Sequence, residues 1–242
     1  MKSKTVNLLS AVFIGATLGF YLIILGGFSN HKNVMTYIPV ALALLYSLVI
    51  LSNDKRSWLL TLALLFTAVS DVFLMLVTPI NQSVAMFTFS IAQICHFLRL
   101  YADFKSKKER VIHIVIRVVL CIIVELIAVI VVGSAFDIVV ALSVFYFVNL
   151  TLNLITAFIY FNNSWLFAVG LLCFILCDIF VGFSAGAGVY LDIPKTSILY
   201  NIAYPNFDYV SLFYVPSQML IALSGNKFIV KSGSLYKKLF KR

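Results

Sequence analysis

The stretch that decides the fold reads SWLLTLALLFTAVSDVF over residues 57–73, and it recurs as SWLFAVGLLCFILCDIF over residues 164–180. The Ser, Trp and Asp of the two copies are each 107 residues apart, from 57 to 164, from 58 to 165 and from 71 to 178. Each copy is long and apolar enough to cross a bilayer as a helix, with one carboxylate, Asp71 or Asp178, deep inside. An ionisable residue within a membrane is costly and marks a functional site by default, so two at matched depth predict a pair that acts together.

The rest of the chain is equally apolar. Its 242 residues are 62% hydrophobic and 11% charged, with a mean hydropathy of +1.06. A soluble domain cannot bury that much apolar surface, so we predict an all-α, polytopic membrane protein that forms a single transmembrane domain over residues 1–242. Eight apolar stretches are the predicted spans, at about residues 8–28, 34–51, 58–77, 86–101, 111–132, 136–160, 165–184 and 208–224.

The distribution of the basic residues predicts the topology. They cluster at the N-terminus, in alternate loops and after the last span, at Lys2, Lys4, Lys55, Arg56, Lys105, Lys107, Lys108, Arg110, Lys227, Lys231, Lys237, Lys238, Lys241 and Arg242. The other loops hold only Lys32 and Lys195. By the positive-inside rule both termini are cytoplasmic, in the cell (inner) membrane. The net charge of +9 therefore indicates topology and contact of the tail, residues 226–242, with anionic membrane lipids, and no nucleic-acid partner is expected.

The repeated stretch also predicts how the helices are arranged. Predicted helices 3 and 7 run in the same direction and lie four spans apart. We therefore expect two parallel four-helix halves, about residues 1–105 and 106–225, related by an axis along the membrane normal. Gln93 on helix 4 and Gln218 on helix 8 are the next candidate matched pair.

The two acids are predicted to differ in protonation state. Two carboxylates that share an apolar pocket cannot both ionise cheaply, so we expect one neutral acid and one anion from Asp71 and Asp178. Acid–base hydrolysis needs that combination. The alternative is a purely structural polar contact between packed helices.

Other polar residues fall inside the spans. His96 either hydrogen-bonds within the bundle or orients a carboxylate and relays a proton. Glu125 lies 14 residues into helix 5, close to the predicted level of Asp71, as a packing residue, a relay or a direct participant. The amides Gln93, Asn149, Asn153 and Gln218 are expected to line the polar interior, where they join helices or contact a headgroup.

A metal centre is not predicted. A zinc hydrolase needs three protein ligands and an open position. Only His96 and His113 lie in or near the spans, at different depths, and the acids and histidines show no ligand spacing. We therefore expect no metal and no other cofactor.

Four segments in order carry a family resemblance: VSDVFLM around Asp71, FTFSIAQICHFLRLY around His96, GLLCFILCDIFVGF around Asp178 and YVPSQMLIALS around Gln218. They cover four of the eight predicted helices, and in this order and spacing the chain resembles the YhhN-like lysoplasmalogenase family of integral membrane proteins. The resemblance implies an enzyme that hydrolyses the vinyl ether bond of a lysophospholipid, the lysoplasmalogen, to a fatty aldehyde and a glycerophospho-alcohol.

The predicted residues suit that chemistry. Vinyl ethers hydrolyse by proton delivery to carbon followed by addition of water to an oxocarbenium ion, as in the two-carboxylate chemistry of glycosidases. We predict Asp71, Asp178 and His96 as catalytic. The predicted substrate-binding residues are Gln93, Glu125, Asn149, Asn153 and Gln218. Two alternatives remain: a proton-coupled transporter of a small molecule or lipid, in which the same acids are relay groups, and a non-catalytic membrane binding protein.

Overall fold

The computed structural model describes residues 3–27, 31–52, 54–102, 104, 106–187, 197, 200, 204 and 207–226. These residues form eight α-helices and no strand, so the predicted all-α class is confirmed. The helices are α1 (Ser3–Leu25), α2 (Lys32–Val49), α3 (Lys55–Asp71), α4 (Gln82–Tyr101), α5 (Lys107–Val132), α6 (Ile138–Ile159), α7 (Phe161–Ala187) and α8 (Tyr209–Leu223).

Seven of these helices, α1 to α7, are long and apolar enough to cross a membrane, which is consistent with a multi-pass membrane protein. The eighth predicted span is not confirmed, because α8 has 15 residues, fewer than the roughly 20 that cross a bilayer core. More than half of the α8 residues are buried, so this helix lies within the bundle. The predicted tail beyond Asn226 and most of the segment between α7 and α8 lie outside the described residues.

Side-chain caps determine where five of the helices begin. In each case an oxygen of the residue before the first turn accepts a backbone N–H of that turn, as N-cap residues do. The cap residues are Asp54, Asn81, Ser106, Asp137 and Asp208. Ser106 also forms a reciprocal capping box with Glu109. The first four of these caps sit in short connections, so the helices on either side of each connection turn back on one another.

Contacts between helices form a closed ring of six. The neighbours follow the order α2, α3, α4, α6, α7 and α8, and α8 then packs against α2. Outside this ring, α1 packs against α2 and α8, and α5 packs against α6. The same neighbours recur four helices apart, since α1–α2, α2–α3, α3–α4 and α2–α8 correspond to α5–α6, α6–α7, α7–α8 and α6–α4.

The two ends of the bundle differ in charge. At the end we call the basic end, α1, α3 and α5 begin with Lys4, Lys55 and Lys107 in their first turns. A hydrogen bond from Arg56 to the carbonyl of Ala102, at 3.1 Å, joins the start of α3 to the end of α4 there. At the opposite end, the first residue of α2, Lys32, pairs with Asp208 before α8 at 3.0 Å.

The interior is tightly packed toward the basic end. Gly170 on α7 lies so close to α8 that a Cβ added there would stand 2.9 Å from Cγ1 and 3.0 Å from the backbone nitrogen of Ile221. Small residues allow membrane helices to approach in this way. The largest apolar side chains that are almost completely buried belong to the same core cluster: Leu60, Leu64, Leu150, Phe167, Leu171, Phe174 and Ile221.

Candidate active site

Asp71 occupies the junction between α3 and a π-helical turn, Val72–Leu76. Such turns are rare and occur frequently at functional sites. The preceding Ser70 donates a hydrogen bond to the carbonyl of Ala85 at 2.6 Å, which fixes this end of α3 against α4. The Asp71 carboxyl is 1% exposed, and its Oδ2 accepts a hydrogen bond from the hydroxyl of Tyr214 on α8. Because α2 separates α3 from α8 in the ring, Tyr214 reaches Asp71 across the ring interior.

Asp178, like Asp71, accepts a hydrogen bond from a tyrosine on another helix. Its Oδ2 accepts a hydrogen bond from the hydroxyl of Tyr146 on α6 at 2.6 Å. Unlike Asp71, the Asp178 side chain is partly exposed. Each acid therefore accepts a hydrogen bond from a tyrosine hydroxyl, but only the Asp178 side chain is partly exposed.

A layer of aromatic rings connects the two acid–tyrosine pairs. The Phe174 ring lies between the tyrosines, with its centroid 6.3 Å from that of Tyr146 and 5.7 Å from that of Tyr214. The structure thus links the two acid–tyrosine pairs through Phe174, and among the described residues the carboxyls hydrogen-bond to the two tyrosines rather than to each other.

His96 lies apart from the acids. Its ring packs against Phe167 on α7, with 5.1 Å between centroids. Phe167 precedes Asp178 by 11 residues, about 16 Å along a helix. His96 is buried, and its Nδ1 has no hydrogen-bond partner among the described residues. Its catalytic role stays a prediction, and this position does not support direct proton transfer to either carboxyl.

Three of the predicted substrate-binding amides meet around Arg117, a residue that the sequence analysis missed. Arg117 on α5 donates to Asn149 Oδ1 at 2.7 Å and to Asn153 Oδ1 at 3.0 Å. Asn153 in turn donates to the side-chain and backbone oxygens of Gln93 on α4, at 3.1 Å and 2.9 Å. The guanidinium also lies 4.1 Å from the centre of the Phe97 ring. The cluster therefore joins α4, α5 and α6.

Neutral oxygens thus stabilise an intramembrane cation. Arg117 has no carboxylate partner among the described residues, so amide oxygens and an aromatic face offset the cost of its burial. One Arg inside the apolar stretch 111–132 was the signal that could have revealed it, by the same rule that singled out the acids.

The match to a protein family covers the part of the chain that forms the ring of helices and carries both acids. The model described as the YhhN family matches residues 31–225. The chain belongs to the YhhN family. The match begins just before α2 and takes in all six ring helices, α5 and both acids of this YhhN-family protein, while α1 lies outside it. Comparisons with curated proteins and with solved structures gave no match.

The other two predicted substrate-binding residues, Gln218 and Glu125, lie in different parts of this YhhN-family protein. Gln218 is buried on α8, one turn beyond Tyr214, and donates to the Ser217 hydroxyl at 3.3 Å. Glu125 is partly exposed on α5, outside the ring, and the structure does not bring it to the acids. Within the described residues no three His, Cys, Asp or Glu side chains form a group that could hold a metal ion.

The Arg117 cluster of the YhhN-family protein gives a double-mutant prediction. We expect Asn153→Leu to lower the free energy of unfolding by about 2–4 kcal/mol, because it leaves the guanidinium without one of its oxygens. In an Arg117→Met background the same substitution should cost much less. Thermal unfolding of the four proteins in one detergent measures this difference. An equal loss in both backgrounds would show that Asn153 does not act through Arg117.

Proposed function

We propose that this protein is an integral membrane hydrolase that cleaves the vinyl ether bond of a lysoplasmalogen, releasing a fatty aldehyde and a glycerophospho-alcohol. The observation that carries the proposal is the carboxyl pair Asp71 and Asp178, presented by two helices of the same sequence pattern, each with a tyrosine hydroxyl as its donor. Membership of the YhhN family supports the reaction class, because the four motifs that resemble lysoplasmalogenases lie within the matched residues.

The chemistry requires one proton donor and one anion. The neutral carboxyl delivers its proton to the vinyl carbon that is not attached to oxygen, and the other vinyl carbon becomes an oxocarbenium ion. The anionic carboxylate stabilises this cation and then takes a proton from the water that adds to it. The carboxyl that took the proton of water then gives it to the glycerol oxygen, the hemiacetal hydroxyl returns its proton to the first carboxylate, and the bond from carbon to the glycerol oxygen breaks. The glycerol leaves as an alcohol, the chain is released as an aldehyde, and both acids regain their starting protonation states.

We assign the neutral role to Asp71 and the anionic role to Asp178. Ionising a fully buried carboxyl is costly without a cation, and Asp71 has no cationic partner among the described residues. Its Oδ1 is buried and makes no hydrogen bond to them, so this oxygen can carry the transferable proton. Asp178 is partly exposed, which lowers the cost of its charge.

The same proposal includes the predicted arrangement in the membrane. Recurrence of the helix neighbours four helices apart supports two parallel four-helix halves, about residues 1–105 and 106–225, with one acid from each half. Lysines at the starts of α1, α3 and α5 support a cytoplasmic basic end, by the positive-inside rule. The substrate, a single-chain lipid, then reaches the acids from the bilayer.

Substitution of each acid tests the activity. Asp71→Asn and Asp178→Asn should each reduce aldehyde release from purified protein and lysoplasmalogen by at least about 100-fold, because general acid–base groups contribute 10²–10⁴. Asp137→Asn is the matched control, since Asp137 is an exposed helix cap and Asn also caps well. Full activity in either acid variant would remove that residue from the mechanism. Movement of substrate across liposomes without aldehyde would favour the transporter instead.

Removal of the tyrosine hydroxyls tests how the acids are held. Tyr146→Phe should lower kcat by about 10- to 100-fold, because its partner Asp178 is anionic and a hydrogen bond to a charged group is worth about 1.5–3 kcal/mol. Tyr214→Phe should lower kcat by about 2- to 10-fold, because its partner Asp71 is neutral and such a bond is worth about 0.5–1.5 kcal/mol. The change in KM should be smaller in both variants. Tyr46→Phe is the control, because its hydroxyl is buried and bonded to Ser10 at 2.7 Å, away from the acids. Steady-state rates of aldehyde release measure the effect, and wild-type kcat in both variants would contradict the proposed arrangement.

A further inference from the structure

Two buried polar atoms inside the bundle have no hydrogen-bond partner among the described residues, and the mechanism above does not use them. They are Thr67 Oγ1 on α3 and Gln93 Nε2 on α4. The two side chains are 1% and 0% exposed. Buried polar groups in native proteins almost always have a partner, so each exception requires an explanation. A polar ligand that binds between α3 and α4, which pack against each other, would supply both partners.

Thr67 and Gln93 face the ring interior, next to the acid–tyrosine pairs on the side of the basic end. Thr67 precedes Asp71 by four residues on α3, which begins at the basic end. Gln93 follows Phe89 by four residues on α4, which ends there. The Phe89 ring in turn packs against Tyr146, with 5.3 Å between centroids. Residues four apart share a helix face and are separated by about 6 Å along the axis, so both side chains lie one turn from the acid–tyrosine pairs.

The hydrogen bonds of the Gln93 amide determine what it can offer a ligand. Its Oε1 accepts a hydrogen bond from Asn153 Nδ2 at 3.1 Å, and Asn153 Oδ1 accepts one from Arg117 at 3.0 Å. The amide oxygen is therefore occupied, and Nε2 remains as a donor. The Thr67 hydroxyl can both donate and accept. Together the two groups suit a hydroxyl, which accepts a hydrogen bond from Gln93 and exchanges a second one with Thr67.

We infer that Thr67 and Gln93 bind the free hydroxyl on C2 of the glycerol of the lysoplasmalogen. This inference rests on the proposed function and names the residues that recognise its substrate. Five bonds separate the C2 oxygen from the vinyl carbon that Asp71 protonates, which is about 6 Å in an extended substrate. That distance matches the one helical turn between Asp71 and Thr67.

The same two residues select a lipid with one chain. Esterification of the C2 oxygen removes its proton and adds a second hydrocarbon chain. The next interior side chains toward the basic end, Leu64 and Leu171, are both 0% exposed and belong to the packed core, so a second chain would have to displace them. A site that hydrogen-bonds a hydroxyl also rejects an analogue without it, because the polar groups of the site are then left unpaired.

A 2-deoxy analogue of lysoplasmalogen, in which hydrogen replaces the C2 hydroxyl, tests the inference. Wild-type protein should have a kcat/KM at least about 100-fold lower for the analogue than for lysoplasmalogen. Thr67→Val and Gln93→Met should each reduce this ratio by about 10-fold or more, because they lower kcat/KM for lysoplasmalogen more than for the analogue. Thr67→Ser keeps the hydroxyl and should keep the ratio. Both substrates are measured on one preparation, so the ratio does not depend on the fraction of folded protein.

Thr61→Val on the same helix is the matched control. The Thr61 hydroxyl is also buried, but it donates to the carbonyl of Ser57 at 3.1 Å, so this variant should keep the wild-type ratio. Thermal unfolding in one detergent gives a second comparison. Thr67→Val should leave the melting temperature unchanged or raise it, because a methyl group replaces a buried hydroxyl that no described residue satisfies.

Three results would contradict this assignment. Equal kcat/KM of wild-type protein for lysoplasmalogen and its 2-deoxy analogue, or the wild-type ratio in both Thr67→Val and Gln93→Met, would overturn the inference and leave the hydrolase proposal intact. Equal losses for both substrates in Thr67→Val would also overturn it, since the hydroxyl would then bind a water molecule rather than the substrate. Absence of aldehyde from wild-type protein with either substrate would overturn the proposed function, and the inference with it.

Discussion

The constraint on which this structure depends is a pair of carboxyl groups, Asp71 buried and Asp178 partly exposed, that form no salt bridge with a cation among the described residues. An interior acid must be neutral, paired with a cation or hydrogen-bonded, because an isolated charge is too costly to bury. Here Tyr146 and Tyr214 supply the hydrogen bonds, and the partly exposed cation Arg117 on α5 is stabilised by amide oxygens instead. Positive and negative groups are thus kept apart. The proposed mechanism needs this separation, because a salt bridge would hold a carboxyl in its ionised form.

The ring of six helices keeps the two acid–tyrosine pairs apart from Arg117, because α5 lies outside the ring. Asp71 and Asp178 belong to helices on opposite sides of the ring, and each tyrosine comes from another ring helix. Phe174 packs against both tyrosines, so the two acid–tyrosine pairs are parts of one packed layer. A change in either pair is therefore expected to reach the other through contact as well as through charge.

Sequence reasoning located the acids because an isolated carboxylate in an apolar stretch is conspicuous and the two copies share one register. It did not find the tyrosines, since hydrophobic periodicity assigns a residue to a helix face but not to a partner across the ring. Tyr214 shows this most clearly, because its helix is not a neighbour of α3. The role of Glu125 stays a prediction, and its depth in the sequence did not reveal that α5 lies outside the ring. The rule that an ionisable residue inside an apolar stretch marks a functional site identified the acids, and it would also have identified Arg117.

Infrared difference spectroscopy of the carboxyl groups tests most directly whether one acid is held neutral beside a tyrosine. With purified protein at neutral pH, we predict a protonated carboxyl C=O band that disappears in Asp71→Asn, persists in Asp178→Asn and moves to a different frequency in Tyr214→Phe but not in Tyr146→Phe. A spectrum in which Asp71→Asn removes no protonated carboxyl band would contradict the account.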